Sequence, residues 1–105
     1  MVFEETTRSL FPADLFIQPD EQPAIVRENL GQAMCQLYRE LGLFAAEKPV
    51  LAVVARLETL APAWIHPMHG GTLPSVVASD YIQALHTQPF AFEGKLFGRV
   101  LPGYA

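Results

Sequence analysis

From Ile25 onward the apolar residues Ile25, Val26, Leu30, Met34, Leu37, Tyr38 and Leu41 recur at three- and four-residue steps, with Ala33 beside them. That spacing is the signature of an amphipathic helix. Asp20-Glu21-Gln22-Pro23 offers it an entrance, with acidic residues in the first turn and a proline where a missing N–H costs nothing. Gly42 offers it a stop. A second stripe, Val50, Val53, Val54, Leu57 and Leu60, predicts a helix that begins near Lys48-Pro49 and closes at Pro62, with Arg56 and Glu58 pointing away. Val77, Tyr81, Ile82 and Leu85 predict a third, opened by Pro74-Ser75 and ended before Pro89.

Between these stripes lie short apolar runs of strand character. Arg8 to Phe11 reads as a strand leading into a loop, Pro12 to Ile17. Ala63 to Met68, carrying Trp64 and Ile65, reads as a buried strand ending at His69. Phe90 to Leu101 suggests a turn at Glu93-Gly94 and a terminal strand. The expected order is strand, helix, helix, strand, helix, strand: an α/β (α+β) chain and a single domain over residues 1–105. Three strands are few beside the five or so of an ordinary sheet.

Composition narrows the class. Half of the 105 residues are hydrophobic and 17% are charged, which fits a packed chain and excludes a disordered one. The net charge is −4 and the seven Lys and Arg are scattered, which argues against nucleic acid as a partner. Cys35 stands alone, so no disulfide framework is expected and a reducing cytoplasm is the default. Met1-Val2-Phe3-Glu4-Glu5 has no basic start and no apolar core, so no secretory signal is expected. The apolar run Val50 to Ala55 is far too short to cross a bilayer, so no membrane role is expected either.

Two residues carry candidate chemistry. His69 stands at the expected end of a strand and is pinned against Gly70-Gly71, which suit a tight turn and close approach to the cleft. Asp14 follows the first expected strand between Leu10, Phe11, Leu15 and Phe16, where a buried carboxylate would need a partner or a cation. Taken alone, Asp14 reads as a turn cap and His69 as a strand terminator. Taken together, both are ligand-type side chains at the C-terminal ends of strands, where α/β folds assemble their sites. His66, three residues from His69, is expected on the opposite face of the strand. His86 is expected to face solvent near the end of the third helix, and Cys35 and Met34 to serve as packing. There is no Gly-rich phosphate loop, no nucleophile elbow and no Cys–His arrangement.

Ser9-Leu10-Phe11-Pro12-Ala13-Asp14-Leu15-Phe16, two helices, and then Ala61-Pro62-Ala63-Trp64-Ile65-His66-Pro67-Met68-His69-Gly70-Gly71 resemble the C-terminal half of a metallo-β-lactamase-fold protein. The nearest flavour is the flavodiiron and oxygen-binding diiron branch, and the resemblance spans most of the chain. It implies one half of an αββα sandwich, with Asp14 as a carboxylate bridging two metals and His69 as the last imidazole of the second metal site. The metals implied are Zn or Fe, and the parent activity a metal-dependent hydrolase or a diiron oxidoreductase. Where the family has Gly before the Asp, this chain has Ala13. The family's His-x-His-x-Asp-His motif is absent. Two candidate ligands fall short of the three or four that a tetrahedral site takes. The chain is therefore expected to be inactive alone, as a fragment whose partner polypeptide carries the N-terminal half. The alternative is a non-catalytic interaction module that forms a homodimer through an exposed sheet face.

Overall fold

Short strands with one apolar row build a mixed sheet first. β1 (Val2–Glu4) turns back onto β2 (Ser9–Phe11) as an antiparallel pair. β2 runs parallel to β3 (Trp64–Ile65), and β3 pairs antiparallel with β4 (Leu73–Pro74), giving the order β1-β2-β3-β4. The parallel pair needs a long crossover, and α1 (Gly31–Leu41) and α2 (Glu47–Leu60) supply it. α3 (Ser75–Thr87) follows β4 directly, and a separate hairpin pairs β5 (Lys95–Leu96) with β6 (Arg99–Val100). This computed structural model describes residues 1–92 and the backbone of those last two strands. The turn expected at Glu93-Gly94 lies outside the described residues.

Register decides which side of the sheet is core. Phe3, Leu10, Ile65 and Leu73 are cross-strand partners and share one face, and the last three are at most 1% exposed. Val2, Glu4, Ser9, Phe11, Trp64 and Pro74 share the other face by the same register. The apolar face packs into one cluster with Met34, Tyr38, Val54, Tyr81, Leu85 and Phe90 from the helices and the segment after α3. Edge-to-face contacts among Tyr38, Phe44 and Phe90 brace that cluster, with Tyr38 and Phe44 centroids 4.8 Å apart. Met34 and Cys35 are fully buried packing residues, as their position on the stripe implies. Burial pushes the Cys35 thiol up to about 11.

The second and third helices form where the stripes place them. Gly42 ends α1 in the left-handed conformation (φ 60°), so the expected stop is the observed one. The start of the first helix is different. Residues 23–30 are not helical: Ala24 accepts from the Thr72 N–H at 2.8 Å, and the Val26 N–H donates to Thr72 at 2.9 Å. That short parallel bridge buries Val26 and leaves Ile25 41% exposed. A tertiary partner has taken backbone groups that a helix would have used. The helix begins at Gly31, whose N–H is held by the Asn29 side chain at 3.0 Å. A Cβ at Gly31 would lie 2.7 Å from the Ala84 Cβ, so glycine lets α1 approach α3 closely.

Two further expectations are corrected. The strand expected over Ala63 to Met68 is only Trp64–Ile65, and Trp64 is 39% exposed because its register puts it on the face away from the core. The strands β1 and β4, absent from the expected order, are three and two residues long, too short to show an alternating pattern. Among the described residues no helix is long and apolar enough to cross a membrane.

Candidate functional site

Asp14 and His69 lie on two loops that leave the C-terminal ends of the adjacent parallel strands β2 and β3. Those loops are tied together by their backbones. The Met68 N–H donates to Ala13 at 3.0 Å, and the Gln18 N–H donates to His69 at 3.3 Å. The sequence neighbours of both candidate ligands are thus hydrogen-bonded across the gap. Asp14 belongs to a turn over residues 13–16 and is exposed, not buried among its apolar neighbours. Its carbonyl accepts a 2.7 Å bond from the Tyr38 hydroxyl on α1. Burial pushes the Tyr38 phenol upward, so it remains a donor throughout the ordinary pH range. Ala13 has φ 58°, a conformation that favours glycine, at the position where the family resembled has glycine.

Gln18, which no local pattern in the sequence marks, holds the loops in register. It is 4% exposed, and its amide is fully used. Its Oε1 accepts from the Gly71 N–H at 2.7 Å, while Nε2 donates to Phe16 at 2.8 Å and to Gly71 at 3.3 Å. Gly70 and Gly71 make the approach possible. A Cβ at Gly70, where φ is 110°, would lie 2.0 Å from the Gln18 Oε1. A Cβ at Gly71 would lie 2.0 Å from the Pro23 carbonyl oxygen.

His66 has a different environment from His69. Its ring stacks on Phe11 (4.9 Å between centroids, 24° between planes), Nδ1 is 2.9 Å from Thr72 Oγ1, and Nε2 is 3.2 Å from Ser9 Oγ. Thr7 Oγ1 lies 2.8 Å from Ser9 Oγ and donates to the Glu4 carboxylate. Donor accounting orders this row. Thr7 spends its proton on Glu4, so Ser9 donates to Thr7. The Nε2–H of His66 then donates to Ser9, leaving Nδ1 to accept from Thr72. The Thr7 hydroxyl, with the Thr7 and Thr6 backbone N–H groups, holds the Glu4 carboxyl down at about 2. A polar Ser9 inside an otherwise apolar strand segment was the sequence signal for this row.

His86, near the end of α3, pairs with Glu58 of α2 at 2.9 Å, and both are substantially exposed. They stand at the rim of a groove of about 630 Å³ between α2, β3 and α3, floored by Leu57, Ile65, Ala78 and Ile82. Neither Asp14 nor His69 lines it. Among the described residues no group of three or more His, Cys, Asp or Glu is placed to hold a metal ion. Compared with family models, curated proteins and solved structures, the chain matches none.

Proposed function

We propose that this chain is the C-terminal half of a metallo-β-lactamase-type αββα sandwich, supplying Asp14 and His69 to a dinuclear Zn or Fe site completed by a second polypeptide. The observation that supports it most is the pair of loops at the C-terminal ends of β2 and β3, bonded through Ala13–Met68 and Gln18–His69. A crevice at the carboxyl ends of parallel strands is where such folds gather ligands. In this reading Asp14 would help hold both metals and His69 would help hold one of them. The remaining ligands come from a His-x-His-x-Asp-His segment on the partner. The metals would supply Lewis-acid or dioxygen chemistry, as a hydrolase or a diiron oxidoreductase.

Co-expression with a polypeptide carrying that segment tests the reading: the complex should take up metal that the chain alone does not. Stoichiometric metal on the monomeric chain alone would sink it, and so would a complex without metal.

A second reading, a non-catalytic homodimer, draws on a separate observation. Val2, Phe11 and Trp64 are 63%, 46% and 39% exposed on the sheet face opposite the core. Sedimentation that finds only monomer at high protein concentration would exclude it.

A further inference from the structure

We propose that Gln18 is the positioning residue of the candidate site, coupling the loop of Asp14 to the loop of His69 so that the two move as one unit. Three features carry this. The Gln18 amide is buried and spends both N–H groups and its oxygen on backbone, two of the three bonds going to Gly71. Its own N–H reaches the His69 carbonyl, so one residue holds the His69 loop at two points. No Cβ fits at Gly70 while Gln18 keeps this position. Without the amide, the Gly71 N–H and the Phe16 carbonyl lose their partner in a place with little water, and the loops part. The Ala13–Met68 bond, which the Gln18 side chain does not touch, would then depend on Gln18 only through this coupling.

The consequence for metal rests on the reading of Asp14 and His69 as ligands; the coupling itself does not. Gln18→Met keeps the volume and removes the hydrogen bonds, and Gln18→Asn keeps an amide that cannot reach as far. Amide hydrogen exchange of the full chain, followed by NMR, is the first measurement. In either variant the Met68 amide should exchange roughly tenfold faster or more than in the parent chain. If Gly71 is released and Met68 is not, the coupling is refuted. Should Gln18→Met fail to fold, Gln18→Asn carries the same comparison.

The second measurement titrates Co²⁺ into the complex with the partner half, well below its melting temperature. Affinity should fall about 10- to 100-fold in the variants, the usual cost of losing an outer support of a metal ligand. Unchanged affinity would overturn the positioning role, leaving Gln18 a purely structural residue. A parent complex that binds no Co²⁺, with Met68 still responding, would remove the proposed function and leave the coupling standing.

Discussion

His66 and His69 are three residues apart and differ in almost every physical respect. His66 is half-buried, stacked on Phe11, and satisfied at both ring nitrogens by Ser9 and Thr72. His69 is exposed, and its fixed point is its carbonyl, held by the Gln18 N–H. One is a strut joining both ends of β2 and the end of β3 to the start of β4. The other has its backbone placed by the fold and its ring left available. A histidine offers chemistry where its main chain is constrained and its nitrogens are not already spent.

The contrast can be broken most severely two residues beyond His69. Gly71→Ala drives a Cβ against the Pro23 carbonyl, a backbone atom that cannot swing aside, and should cost about 3 kcal/mol or prevent folding. Thermal and urea unfolding would show it. Next comes His66→Ala, which strips Ser9 and Thr72 of a partner and removes the stack on Phe11. It should cost roughly 1–2 kcal/mol, whereas His69→Ala should stay within about 0.5 kcal/mol. Equal losses for the two histidines would erase the distinction between them. Ala13→Gly relieves a left-handed residue next to Asp14 and should stabilise by about 0.5–1 kcal/mol, the strain released less the added freedom of the unfolded chain.

The smallest effect lies at the far end of the His66 row. The folded Glu4 carboxyl sits at about 2 against an ordinary value of 4.5, held there chiefly by Thr7. A depressed folded value contributes stability that is complete above 4.5 and fades as pH falls through about 2. A carboxyl ¹³C titration should place the Glu4 midpoint near 2 in the parent chain and closer to 4.5 in Thr7→Ala. An unmoved midpoint would mean that the Thr7 hydroxyl does not bear on Glu4.

The parts of the fold that were legible in the sequence are those whose causes are local. The α3 stripe, the Gly42 stop and the packing of Met34 and Cys35 follow from spacing and residue type alone. Residues 23–30 carry the same spacing and are not helical, and at Ala24 and Val26 the backbone is paired with Thr72, more than forty positions away. The site divides in the same manner. Asp14 and His69 stood out as ligand-type residues after strands, and the loops that hold them do meet. Ser9 stood out only as a polar residue in an apolar segment, and its pairing with His66 was hidden, as was that of Gln18, since Gly71 and Ser9 lie 53 and 57 positions from the side chains they bond. No local pattern encodes a partner at that distance.

The proposed shared site makes Asp14 and His69 two of its metal ligands. Elemental analysis of the complex with a partner carrying the His-x-His-x-Asp-His segment tests it directly, with Asp14→Asn and His69→Ala measured beside the parent. The parent complex should hold about two metal ions, as a dinuclear site requires, with a clear loss in each variant and no stoichiometric metal on the chain alone. Full metal content in both variants, or none in the parent complex, would contradict it.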